Sequence, residues 1–237
     1  MGHGIDILAF GAHPDDVEIG MAGSLAKWAT AGKQIVICDL TEAELSSNGD
    51  VETRRRESNA SAEILGIAER VNLNIPDRGL FKSDDNIRKI VNIIRKYQPT
   101  VIFAPYQKDR HPDHGNCSEL VREAFFSAGI RKYKGIEEFP AHKAKGFYHY
   151  LINGFTNPNF MVDISNYIDY KIKALEAYQS QFYSGKEGIS TPLTEGYIET
   201  VVAREKLFGK EVDVAYAEGF ISGKPLLINH DLFGEVV

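Results

Sequence analysis

Through the first half of the chain, short apolar runs alternate with longer amphipathic stretches. This is the pattern of βα units that stack into a parallel sheet covered by helices. Ile5 to Gly11 and Gln34 to Leu40 read as the first two strands, joined by a helix over Val17 to Ala31 that Gly32 ends. A polar loop, Glu44 to Asp50, leads into a second helix over Val51 to Leu65, stopped by Gly66, and Val71 to Asn74 reads as a short third strand. Beyond the turn at Pro76-Asp77-Arg78-Gly79, Ile87, Ile90, Val91 and Ile94 keep the three-to-four spacing of one helical face, which predicts a helix over Asp84 to Tyr97. Pro99 breaks the chain before a fourth strand, Thr100 to Ala104, and a fourth helix follows from Gly115 to Ala128.

The second half is less regular. Gly146 to Ile152 and Phe160 to Ile164 read as strands, Ser165 to Gln179 as a helix with Ser165 as N-cap, and Glu195 to Phe208 as a further helix. With no repeat, low-complexity tract or linker, one domain is expected over residues 1–237: a core over 1–130 and a C-terminal α/β elaboration over 131–237. The fold class is α/β, a Rossmann-like three-layer sandwich around a mainly parallel sheet of order 3-2-1-4-5. That order sets strands 1 and 4 side by side with their following helices on opposite faces, and a crevice opens at their carboxyl ends.

Two loops empty into this crevice. Strand 1 ends in Gly11-Ala12-His13-Pro14-Asp15-Asp16, and strand 4 is followed by Arg110-His111-Pro112-Asp113-His114. A catalytic zinc takes three imidazole or carboxylate ligands and leaves a fourth position for water, a set that His13, Asp16 and His114 supply. Asp15 leaves the turn in another direction and is free to act as base on that water, whose pKa the metal lowers to about 7. Of His111 and His114, three residues apart, one can bind metal while the other faces the substrate. A protonated His111 would stabilise an oxyanion and protonate a leaving amine, and Asp113 is expected to pair with it, raising its pKa and fixing its tautomer.

Charge, composition and motifs disfavour other classes. The net charge of −6 and the scattered basic residues, apart from Arg54-Arg55-Arg56, argue against nucleic acid as a partner. Two less favoured alternatives stand beside the hydrolase reading: a metal phosphoesterase, although two-metal enzymes of that kind need more carboxylate ligands and no glycine-rich phosphate cradle is present, and a non-catalytic sugar- or nucleotide-binding module, although no Gly-x-Gly-x-x-Gly follows strand 1. Cys38 and Cys117 read as core thiols of a reducing compartment. Met1-Gly2-His3-Gly4 has no basic leader and Ile7 to Phe10 is too short to span a membrane, so a cytoplasmic protein without membrane partners is expected. His3, His142, His149 and His230 read as ordinary histidines, and Trp28, Tyr148 and Tyr150 as packing residues.

Ala12 to Gly20, paired with His111-Pro112-Asp113-His114 and with the Arg54-x-x-Glu57 of the second helix between them, resembles the signature motifs of the LmbE-like, or PIG-L, family of zinc-dependent N-deacetylases. The resemblance implies zinc held by His13, Asp16 and His114, Asp15 as general base, His111 as electrophile, and assembly into homo-oligomers, a hexamer among them. Within the family the likeness is to the branch that removes acetate from N-acetyl-glucosaminyl malate in bacillithiol biosynthesis. It extends through Tyr178-Gln179-Ser180-Gln181, Ala203-Arg204-Glu205-Lys206 and Tyr216 to Phe220. N-acetylglucosamine and chitobiose are the alternative small-molecule substrates. A malyl group carries carboxylates, so Arg54 and Arg110 are candidate substrate clamps, with Tyr197 as a further pocket residue.

Overall fold

The structure is a computed structural model and describes residues 4–183 and 188–227. Strands and helices alternate through β1 (Ile7–Gly11), α1 (Asp16–Thr30), β2 (Ile35–Asp39), α2 (Val51–Leu65), β3 (Glu69–Asn72), α3 (Asp84–Tyr97), β4 (Val101–Pro105) and α4 (Pro112–Ala128). The remainder forms β5 (Gly146–Tyr150), β6 (Phe160–Asp163), α5 (Ile168–Glu176), α6 (Gln179–Phe182), α7 (Tyr197–Glu211) and β7 (Ala217–Ser222). One sheet runs β3-β2-β1-β4-β5-β7-β6, parallel from β3 to β5, with β7 antiparallel to both β5 and β6.

Alternation along β1 decides the layers. Leu8 and Phe10 pack with α3 and α4, whereas Ile7 and Ala9 pack with α1 and the C-terminal helices. Helices α1 and α4 therefore start from adjacent strands and leave on opposite faces, which opens the expected crevice above β1 and β4. Among the described residues no helix is long and apolar enough to cross a membrane.

Three expectations are corrected. Strand β3 begins at Glu69, two residues early: Glu69 and Arg70 pair with Val36 and Ile37, and the positive φ of Asn74 (48°) turns the chain away. The apolar Val71 and Leu73 point a reading of the pattern towards the wrong end of the strand. Ser165 does not cap a helix, because its Oγ donates to Asp163 and accepts from the backbone N–H groups of Ala215 and Tyr216; α5 starts at Ile168 and ends at Glu176. Strand β7 is absent from the sequence pattern, since Glu218 and Gly219 interrupt its apolar run.

Helix α1 is broken at Met21 (φ −153°, ψ 20°), and the C-terminal half of the chain caps both sides of the break. Glu218 accepts from the N–H groups of Gly23 and Ser24 at 2.9 and 2.7 Å. The Ile19 carbonyl, left without a helical partner, accepts from Lys171 Nζ at 2.9 Å and Arg204 Nη2 at 3.0 Å. Glu205 completes this buried group by pairing with both cations. Gly20 is required here: a Cβ would collide with the Tyr150 ring, whose hydroxyl donates to the Phe10 carbonyl.

Candidate active site

The β1–α1 turn is built around the Asp16 carboxylate. Its Oδ2 accepts from the backbone N–H groups of Ala12 and His13, both at 2.9 Å, and its Oδ1 lies 3.1 Å from His114 Nε2. His13 Nδ1 stands 3.6 Å from Asp16 Oδ2. Asp15, at the helix N-cap, has a positive φ of 119°, which L-residues rarely adopt and which turns its side chain away from that of Asp16. The ring nitrogens of His13, His111 and His114 come within 4.8 Å of one another, although the two loops lie about a hundred residues apart.

Each candidate ligand imidazole has a carboxylate on its other nitrogen. His13 Nε2 is 3.2 Å from Asp77 and 3.6 Å from Asp113, and His114 Nδ1 is 2.9 Å from Asp109. Metal-binding histidines are held in this way by outer carboxylates that fix ring orientation and raise basicity. Burial by itself would push the His13 and His114 pKa values down. The carboxylates outweigh it, lifting His13 well above its usual value and His114 to about 9. Donors of a tetrahedral zinc stand roughly 3.3 Å apart, given bonds of about 2.05 Å. His114 Nε2 is 3.1 Å from Asp16 Oδ1 and His13 Nδ1 is 3.6 Å from Asp16 Oδ2, each close to that spacing but on opposite oxygens of the carboxylate; the clusters whose ligand atoms lie within 4.8 Å of one another are His13, His111 and His114, and His13, Asp77 and Asp113.

Asp15 is buried, and burial raises its pKa to about 6 against the downward pull of Arg54. Arg54 is not an open substrate clamp. It is 5% exposed, and its Nη1 donates to Asp15 Oδ2 at 2.8 Å and to the Pro14 carbonyl at 2.6 Å, while Nη2 donates to Ser46 Oγ at 2.9 Å. Its guanidinium holds the base. Arg110 is exposed, lines the pocket and has no hydrogen-bond partner among the described residues.

The expected Asp113–His111 pair does not form. The Asp113 carboxylate accepts from Arg78 Nη1 at 3.0 Å and faces His13. His111, the N-cap of α4, accepts at Nδ1 from the Asp113 backbone N–H at 3.3 Å. Burial and the neighbouring His114 and His13 push the His111 pKa down rather than up. A neutral imidazole that accepts at Nδ1 carries its proton on Nε2, and the helix N-terminus favours that neutral form.

His13, Asp15, Asp16, Arg54, His111 and His114 line a pocket of 440 Å³ to which Ile152, Asn153 and Tyr197 also contribute. Tyr197 donates to Asn153 Oδ1 at 3.0 Å. Asp77, Asp109 and Asn153 join the site without having stood out in the sequence. Asp109 lies two residues before His111 of the second motif, and the only sequence signal for Asp77 is the turn it sits in. His142 and His149 bond to the Pro99 and Pro105 carbonyls, Cys38 and Cys117 are buried free thiols, and His3 and His230 lie outside the described residues.

Fold and site together define a Rossmann-like α/β protein with a histidine–carboxylate centre at the switch point of its sheet. A family profile described as PIG-L: GlcNAc-PI de-N-acetylase matches residues 8–125. The diacetylchitobiose deacetylase of Thermococcus kodakarensis is 31% identical over 234 residues, 92% of this chain and 83% of that protein. The probable N-acetyl-alpha-D-glucosaminyl L-malate deacetylase 2 of Bacillus anthracis is 24% identical, covering 80% of this chain and 87% of that protein. Among solved structures, the conserved protein TT1542 from Thermus thermophilus superposes with a TM-score of 0.87 at 35% identity, covering 94% of this chain and 97% of that one. The chain belongs to the PIG-L, or LmbE-like, family of N-deacetylases.

Proposed function

We propose that the protein is a zinc-dependent N-deacetylase that removes acetate from an N-acetylglucosaminyl conjugate, with N-acetyl-glucosaminyl malate as the preferred substrate. The observation that carries the reading is the pair of histidines, His13 and His114, each facing Asp16 with one ring nitrogen and an outer carboxylate with the other. His13, Asp16 and His114 would hold the metal. Bound there, zinc would polarise the amide carbonyl and lower the pKa of water in the open position.

The chain's own residues account for the proton transfers. Asp15, with its pKa near 6, takes the proton of the attacking water and returns it to the departing amine. Arg54 keeps Asp15 ionised and aimed. His111 donates from Nε2–H to the oxyanion as it develops, as a neutral imidazole suited to that task. Burial of Asp15 and Asp16 strengthens each of these electrostatic effects.

Arg110, exposed at the pocket, supports an anionic group on the sugar conjugate, which favours the malyl substrate. The higher identity to the Thermococcus chitobiose enzyme supports a second reading, in which an N-acetylated disaccharide is the substrate. Acetate release from N-acetyl-glucosaminyl malate, diacetylchitobiose and N-acetylglucosamine tests both. The malate glycoside should show the highest kcat/KM; a higher value for chitobiose selects the second reading. No acetate from any of the three, or full activity after exhaustive chelation, defeats the deacetylase or the metal assignment respectively.

A further inference from the structure

Asp109 sits at the meeting point of three segments. Its Oδ1 accepts from the backbone N–H of His111 at 2.8 Å and from Asn153 Nδ2 at 2.9 Å, and it lies 2.9 Å from His114 Nδ1, an ion-pair contact off the line of a ring N–H hydrogen bond. Its Oδ2 accepts from the Asn153 backbone N–H at 3.0 Å. Asn153 thus grips both oxygens, and the carboxylate plane cannot rotate without breaking one of these bonds. On its other side, the Asn153 Oδ1 accepts from the Tyr197 hydroxyl at 3.0 Å. The preceding Ile152 carbonyl is anchored by Arg204 Nη1 at 2.7 Å.

A continuous chain of polar contacts therefore runs from the start of α7, through the loop after β5, to an imidazole of the metal centre: Tyr197, Asn153, Asp109, His114. An imidazole that presents Nε2 to a metal is oriented by the carboxylate charge beside its Nδ1. A carboxylate that swings loses that control. Asp109 on its own is tethered to the loop that already carries His111 and His114. The Asn153 side-chain amide ties it to a different part of the sheet.

We propose that Asn153 is a positioning residue for the metal ligand His114, acting through Asp109, so that the pocket wall formed by Tyr197 and Asn153 and the metal centre are one mechanical unit. This rests on the reading that His13, Asp16 and His114 hold the metal. A sugar that displaces the Tyr197 hydroxyl from Asn153 changes the support of His114, which couples substrate binding to metal affinity.

The test is the zinc dissociation constant of the purified protein, measured by competition with a chromophoric chelator. Asn153→Leu removes the amide while keeping the branching of the side chain and should weaken zinc binding about 10-fold, with Asp109→Asn losing about 10- to 100-fold. The double variant should lose no more than Asp109→Asn alone, because the two residues act as one unit. A merely structural role for Asn153 would lower the unfolding midpoint of the metal-free protein and leave the zinc constant untouched. Wild-type zinc affinity in Asn153→Leu, or additive losses in the double variant, overturns the proposal. Should Asn153→Leu fail to fold, Asn153→Ser makes the same measurement with less crowding. Asp16→Ala separates the two levels of argument. If it keeps wild-type zinc affinity, the metal assignment itself fails; if it loses zinc while Asn153→Leu does not, only the role of Asn153 fails.

Discussion

Helix α1 touches three clusters of buried charge, one of them Glu18 with Arg70 and Asp39, and the other two differ in balance. At the break near Met21, Lys171 and Arg204 face Glu205 and Glu218, and further donors and acceptors are spent on the Ile19 and Ile152 carbonyls and the Gly23 and Ser24 amides. At the start of the same helix, Asp15, Asp16, Asp77, Asp109 and Asp113 converge. The guanidiniums bonded to them, among the described residues, are those of Arg54 and Arg78. The first of these two clusters is complete in itself. The second carries more carboxylate than its neighbours neutralise, and buried charge of one sign is costly unless a counter-charge is supplied. Raised pKa values at His13 and His114 express the same demand, which a divalent cation would meet.

The contrast can be broken from either side. Asp15→Asn should lower kcat/KM by about 10²- to 10⁴-fold, the usual contribution of a general base, with metal content unchanged by elemental analysis. Loss of metal in that variant would place Asp15 among the ligands. In the balanced cluster, Glu218→Gln leaves Lys171 less compensated and the α1 break poorly capped. It should cost about 3–5 kcal/mol in urea unfolding while the folded fraction keeps its zinc affinity. A variant as stable as wild type would show that the break needs no counter-charge.

Smaller effects sharpen the picture. Arg110→Ala should raise KM for the malate glycoside about tenfold or more, as expected for one lost charge-assisted hydrogen bond of about 1.5–3 kcal/mol, and barely change KM for chitobiose. Equal changes for both substrates would remove Arg110 from carboxylate recognition. Arg54→Gln tests the sign of the charge at the base. Burial raises the Asp15 pKa and Arg54 lowers it, so removing the cation raises it further. The ionised base is then lost at a higher pH on acidification, and the acid limb of the kcat/KM profile should move to higher pH. An unmoved or downward-shifted limb would mean that another group controls it.

Much of the architecture is legible along the chain. The alternation of short apolar runs with amphipathic helices marks a doubly wound sheet, whose usual order 3-2-1-4-5 the first five strands take, whereas the placing of β7 between β5 and β6 is not legible; α2 and α3 fall on the residues their periodicity and caps mark. The crevice follows from that order. The departures are of one kind. Ser165, Glu218 and Arg54 take roles that local pattern does not reveal, because their partners, Tyr216, Gly23 and Asp15, lie far away in sequence. Asp113 stands nearest to His111 in the motif; packing gives its carboxylate to Arg78 and His13 instead.

The sequence by itself determined the class of fold, the two loops that meet, and the donor types they bring, because patterning marks a doubly wound sheet whose usual order sets strands 1 and 4 side by side, and a metal selects its ligands by chemistry. Which nitrogen each imidazole turns inward, which carboxylate supports it and which arginine is spent on the base were decided only by the tertiary structure. A side chain's partners depend on three-dimensional neighbours drawn from several loops, and no periodicity along one segment encodes them. The His114–Asp109–Asn153 connection illustrates the division: the histidine stands in a motif, and its support comes from the loop after β5.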